Sequence, residues 1–143
     1  MMDLMNLRIL VVEDELLIAL AMEDMLQTFG CEIIGPASDI GEAEKIILKE
    51  RLDGALLDVN VRGRLVYPVA EMLIERSIPL ILCSGYATTN VIPAPYCALP
   101  QIAKPYDQDT LYRMMTRVFA DTEARTPPAA WARPFDRSGE LSG

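Results

Sequence analysis

Ala55-Leu56-Leu57-Asp58-Val59-Asn60 is the stretch on which the fold turns. An apolar run passes straight into an aspartate at what reads as the end of a buried strand. A carboxylate at the rim of a core is costly unless something pairs with it. Asp58 therefore either only terminates the strand or is presented there for chemistry.

The neighbouring segments repeat this shape. Leu7-Arg8-Ile9-Leu10-Val11-Val12 reads as a strand that runs into Glu13-Asp14-Glu15. Glu32-Ile33-Ile34-Gly35 is a short second strand, Gly54 to Asp58 the third, Pro79-Leu80-Ile81-Leu82-Cys83 the fourth, and Ala98 to Ala103 a weaker fifth. Helical patterns lie between them. Ile18, Met22, Met25, Leu26 and Phe29 form one stripe, with Gly30 as its C-terminal stop. Asp39 and Glu42 have capping-box spacing ahead of Ala43, Ile46 and Ile47. Val61 to Arg64 reads as a loop. Pro68 suits the first turn of a helix that faces Val69, Met72 and Leu73 inward. Asp107 caps a last helix with the stripe Leu111, Met114, Met115, Val118 and Phe119.

Strands alternating with helices imply a parallel sheet covered on both faces, an α/β fold. One interval breaks the rhythm. Pro93 and Pro95 leave little room for a regular helix between the fourth and fifth strands, so the fourth helix is expected to be short or irregular. Residues 1–6 read as an N-terminal extension and 7–120 as the domain. Residues 121–143 read as a disordered, Pro-containing tail without periodicity, with Trp131 and Phe135 as its aromatics.

Bulk properties narrow the chemistry. A net charge of -8 and a pI near 4.5 argue against a basic nucleic-acid face and favour a divalent cation or a basic partner. No run of 18 apolar residues suggests a membrane span, and the first residues lack a signal-peptide pattern, so a cytoplasmic location is expected. Three dispersed cysteines and no histidine argue against a zinc site or a Cys-His nucleophile.

In an open parallel sheet the ligand crevice lies outside the carboxyl ends of the strands. Those ends carry Glu13 and Asp14, Asp58, Ser84, and Lys104 followed by Pro105. Each has a plainer reading as a loop residue. Their joint placement is what points to a site. Crowded carboxylates repel, and a hard cation such as Mg²⁺ (or Mn²⁺) relieves them. An aspartate carboxylate is also a nucleophile toward phosphorus, and phosphoryl transfer needs mainly positioning and charge stabilisation.

"ILVVEDE", "LLDVN", "LCSGYA" and "AKPY" occur in the order and spacing of a response-regulator receiver domain, which the chain resembles from about Leu7 to Ala120. The resemblance implies a flavodoxin-like doubly wound five-stranded sheet in the order 2-1-3-4-5, of which this family is a known example. It also implies a phosphoacceptor at Asp58 and a metal held by Glu13, Asp14, Asp58 and the backbone carbonyl of Asn60. Ser84 matches the Ser/Thr switch position and Lys104 the family lysine. Leu82-Cys83-Ser84-Gly85-Tyr86 further resembles the FATGUY receivers, stand-alone regulators often linked to HWE-type histidine kinases. Ser84 replaces their threonine, and Gln101 stands where the aromatic switch residue usually lies. Tyr86 is the candidate substitute and a modulator of phosphoryl lifetime.

These features imply a stand-alone regulator of a two-component phosphorelay. It would take its phosphoryl group from a histidine kinase or phosphotransfer protein and act on an unknown output protein, or drain phosphate. Its chemistry would be limited to self-catalysed, Mg²⁺-dependent transfer and autodephosphorylation. One alternative is a receiver-like binding module that works without phosphorylation. A phosphatase with an aspartate nucleophile is disfavoured, because Asn60 stands where a second carboxylate would serve as acid and base. A Rossmann domain is disfavoured because no Gly-rich turn follows the first strand.

Overall fold

The computed structural model describes residues 4–85 and 92–120. Among these residues, seven strands and four α-helices follow in the order β1 (Arg8–Val12), α1 (Leu16–Thr28), β2 (Glu32–Ala37), α2 (Ile40–Lys49), β3 (Gly54–Asp58), β4 (Asn60–Val61), β5 (Arg64–Leu65), α3 (Tyr67–Glu75), β6 (Leu80–Ser84), β7 (Gln101–Ala103) and α4 (Gln108–Met115). The main sheet is parallel, in the order β2-β1-β3-β6-β7. Counted along these five strands alone, that is the expected 2-1-3-4-5.

The apolar runs are explained by burial on both faces. Leu10, Val12, Ala55, Leu57, Leu80 and Leu82 face one core, closed by α2 and α3. Ile9, Val11, Leu56, Ile81 and Cys83 alternate to the other, closed by α1 and α4. Gly54 opens β3 where the last helix crosses it. A Cβ there would lie 2.7 Å from the Phe119 ring, so the packing requires glycine. Beyond α4 the chain continues as a π-helical turn, Thr116–Ala120, that delivers Val118 and Phe119 to this core.

At the end of the sheet opposite the strand carboxyl termini, Arg8 gathers three segments. Its guanidinium donates to Glu32 at 3.0 Å, Glu50 at 2.7 Å and the Arg51 carbonyl at 2.7 Å. Its amide donates to Asp53 at 2.8 Å.

Several local expectations change. The segment read as a loop after Asp58 is a two-stranded antiparallel hairpin, pairing Asn60 with Leu65 and Val61 with Arg64. Arg62 and Gly63 have φ of 52° and 80°, the positive pair that a tight two-residue hairpin turn requires. The Gly63 amide donates to Asn60 Oδ1 at 3.0 Å. β2 runs two residues past Gly35, to Ala37. The fifth strand of the sheet starts at Gln101 rather than Ala98, because Tyr96–Ala98 is wound into a 3-10 turn. Among the described residues that turn is the only helical element between β6 and β7; residues 86–91 of the interval expected to be irregular lie outside the described residues. Asp39 caps α2 as expected, accepting from the Glu42 amide at 2.8 Å. Glu42, however, reaches back to the amide of Ser38 at 2.9 Å, one residue earlier than in a standard capping box. Tyr86 and the tail from 121 to 143 lie outside the described residues.

Candidate functional site

β1 has β2 on one side and β3 on the other, so a crevice opens above the carboxyl ends of β1 and β3. Glu13 and Asp14 follow β1 directly, and Asp58 ends β3. One carboxylate oxygen from each of the three lies within 4.8 Å of the others. Lys104 follows β7 and enters over the end of β6. Its ammonium stands 3.3 Å from Asp58 Oδ1 and 3.1 Å from Glu13 Oε1.

Main-chain donors aim two of the three acids. The Glu15 amide donates to Glu13 Oε2 at 3.1 Å, and the Arg62 amide donates to Asp14 Oδ2 at 2.8 Å. The Arg62 guanidinium donates to the Ser38 carbonyl at 3.0 Å, so the hairpin is fastened on two sides. Ser84 is buried at the end of β6, where its carbonyl accepts from the Lys104 amide at 2.7 Å. Asn60 is exposed, with its side chain committed to the hairpin turn.

Glu13 is only 3% exposed. Burial pushes its carboxyl up from the usual range, and the Asp58 charge adds to this against opposing help from the Glu15 amide and Lys104. Burial likewise raises Asp58, with Lys104 pulling the other way. For Lys104, burial lowers the proton affinity, but the Asp58 and Glu13 carboxylates outweigh it and the net direction is upward. The cluster thus holds more negative charge than its one ammonium neutralises. Three carboxylates, all hard oxygen donors, fit an Mg²⁺-type cation by the chemistry of the donor set.

The structure brings together Glu13, Asp14, Asp58 and Lys104, with Ser84 at the adjoining strand end. It does not bring in Gln101, which begins β7 opposite Leu82 and donates from Nε2 to the Cys97 carbonyl at 3.1 Å. Sequence reasoning missed the Glu13–Lys104 contact and the role of Arg62. It also missed Tyr96, whose ring stacks on Tyr67 at 4.1 Å and 9° and whose hydroxyl hydrogen-bonds the Glu71 carboxylate. The proximity of Tyr96 to the fifth sheet strand was visible in the sequence, but its partners on α3 were not.

No family model matches the chain. Among solved structures it is similar to SdrG from Sphingomonas melonis Fr1, at 33% identity and a TM-score of 0.70 over 80% of this chain and 96% of that one. The receiver domain of the sensor histidine kinase PA1611 from Pseudomonas aeruginosa PAO1 has a magnesium ion in its active-site cleft. It superposes with a TM-score of 0.67 at 20% identity, covering 81% of this chain and 99% of that one. Among curated proteins, the transcriptional regulatory protein PdtaR of Mycobacterium tuberculosis is 28% identical over 86 residues, which is 59% of this chain and 42% of PdtaR. The chain thus spans less than half the length of the curated relatives it matches. The chain belongs to the response-regulator receiver domains. Among the described residues, no helix is long and apolar enough to cross a membrane.

Proposed function

We propose that the chain is a stand-alone response regulator, with residues 7–120 as its receiver unit and Asp58 as the phosphoacceptor. The observation that carries this reading is the Asp58 carboxylate, set within 4.8 Å of the Glu13 and Asp14 oxygens and 3.3 Å from the Lys104 ammonium. Asp58 Oδ attacks the phosphorus of a phosphohistidine on a kinase or phosphotransfer protein. The P–N bond breaks, a P–O acyl phosphate forms, and the histidine nitrogen takes up a proton. Lys104 keeps its Glu13 contact and has an ammonium to offer the arriving phosphoryl oxygens. Ser84 supplies a hydroxyl at the neighbouring strand end. Mg²⁺ would be held by Glu13, Asp14, Asp58 and the Asn60 carbonyl, and when bound it neutralises charge on the phosphoryl group.

The Ser84-Gly85-Tyr86 motif and the prolines Pro93 and Pro95 before β7 support the FATGUY subgroup, and with it an HWE-type kinase as donor and a cytoplasmic location. Phosphorylation would be reported through protein contacts or drained as phosphate, with Tyr86 and Gln101 modulating the response. The test is incubation with Mg²⁺ and acetyl phosphate, or a beryllofluoride mimic, followed by mapping of the modified residue. Modification at Asp58 that is lost in Asp58→Asn is the expected result. An unmodified wild type sinks the reading and favours a binding module that works without phosphorylation.

A further inference from the structure

Lys104 is delivered to Asp58 and Glu13 by a slight element. β7 is three residues long, lies at the edge of the sheet and is paired to β6 on one side. Segments with so few bonds sit at the low end of local stability. One end of the strand is fixed where the Lys104 amide donates to the Ser84 carbonyl at 2.7 Å. The other end leans on the 3-10 turn Tyr96–Ala98. The Gln101 side chain donates to the Cys97 carbonyl at 3.1 Å, and the Leu99 amide donates to the Tyr96 carbonyl at 3.0 Å. Tyr96 fastens that turn to α3. Its ring stacks on Tyr67, with centroids 4.1 Å apart and planes at 9°, and its hydroxyl donates to the Glu71 carboxylate. Tyr67 and Glu71 stand one helical turn apart on α3, so a single side chain holds two successive positions of one face. Burial and the Glu71 charge push the Tyr96 hydroxyl above its usual range, which keeps it a donor.

α3 is itself referenced to the acceptor. It begins at Tyr67, directly after the hairpin that follows Asp58, and the Val66 amide returns to the Val59 carbonyl at 2.9 Å. Tyr96 therefore ties the strand that carries Lys104 to the connection that leaves Asp58. We propose that Tyr96 is a positioning residue for Lys104: by holding the 3-10 turn against α3 it steadies β7, and so keeps the ammonium 3.3 Å from Asp58 and 3.1 Å from Glu13. It acts through the strand, with the stack supplying a rigid contact and the Glu71 bond fixing its direction. The consequence for phosphoryl transfer rests on the reading of Asp58 and Lys104 given above. The placement of the ammonium does not.

NMR of the full chain, isotope-labelled at its lysines and kept in chelator, reads that placement without a phosphodonor. The chain has three lysines, and Lys45 and Lys49 are exposed on α2. Their side-chain signals should lie together at the position of a solvated lysine, with the Lys104 signal displaced by its two carboxylates. In Tyr96→Ala most of that displacement should be lost. Tyr96→Phe keeps the stack and loses the Glu71 bond, so its signal should fall between the two; it decides alone if Tyr96→Ala does not fold. Gly54→Ala crowds the Phe119 ring and leaves the latch untouched, so the Lys104 signal should stay in place. That control separates positioning from a general loss of stability. A Lys104 signal that is not displaced in the wild type overturns the proposal. So does one that stays fully displaced in the folded Tyr96 variants, or one that collapses equally in Gly54→Ala. Failure of the functional reading looks different: Asp58 stays unmodified by acetyl phosphate while the Lys104 signals still follow this pattern.

Discussion

Lys104 Nζ lies 3.1 Å from Glu13 Oε1, joining residues 91 positions apart. The contact spans three strand spacings of the sheet, from the end of β7 to the end of β1. Beside the Glu15 amide, that ammonium is the one cation paired with the buried Glu13 carboxylate among the described residues. Lys104→Met is therefore expected to destabilise metal-free protein at pH 7 by about 3 kcal/mol, the lower end for breaking a buried pair because Lys104 keeps some exposure. The folded-state pKa of Lys104 is raised, so its contribution is complete at neutral pH and lost only as pH rises through that value. Urea titrations at pH 7 would measure the loss. An unchanged midpoint would mean that the ammonium is not holding the cluster.

Asp58→Asn should act in the opposite direction. Burial raises Asp58 and Glu13, so the folded protein keeps these protons to higher pH than the unfolded chain does. Each carboxylate then costs stability above its folded pKa, and the cost fades as pH falls toward the ordinary carboxylate range. In chelator, Asp58→Asn is expected to melt above the wild type at pH 7, with the gap narrowing on acidification. Saturating Mg²⁺ should stabilise the wild type more than the variant. A variant that melts lower at neutral pH would contradict the charge balance of the site.

The cysteines provide a separate check. Burial pushes Cys31 up to about 11 and Cys83 up to about 12, while Cys97 is exposed. A thiol reagent at pH 8 should label one cysteine quickly in the native protein and all three after unfolding. Peptide mapping should place the fast label on Cys97, and fast labelling of Cys83 would mean that the end of β6 opens readily.

Gly54→Ala tests the seam between β3 and the last helical turn. The new methyl would meet the Phe119 ring at 2.7 Å, and overpacking of this kind costs about 1–3 kcal/mol. Chemical denaturation should show that loss, and the smaller Phe119→Leu in the same background should recover part of it. No recovery would place the strain elsewhere.

The sheet and the acidic site were legible because both depend on local sequence. The runs at Ile9–Val12, Gly54–Leu57 and Leu80–Cys83 are apolar on both faces and end in Glu13, Asp58 and Ser84. What stayed hidden depends on the three-dimensional pairing of distant residues. Nothing near Glu13 in sequence announces Lys104, and nothing near Tyr96 announces Tyr67. The hairpin after Asp58 was missed for a local reason. Its turn is Arg62-Gly63, without the Asn-Gly or Asp-Gly that normally signals two positive φ values. The 3-10 turn at Tyr96–Ala98 likewise shortened a strand that the apolar residues alone would extend.

Asp14 is oriented by the amide of Arg62, not by its side chain. A main-chain donor persists through side-chain replacement. Residue 62 can drift among types that tolerate its positive φ, glycine and asparagine most easily, and the carboxylate keeps its aim. Only proline would delete the donor itself. The aim of one acid at this site is thus inherited through the shape of a turn, and it is shielded from most single-codon change at the position that supplies it.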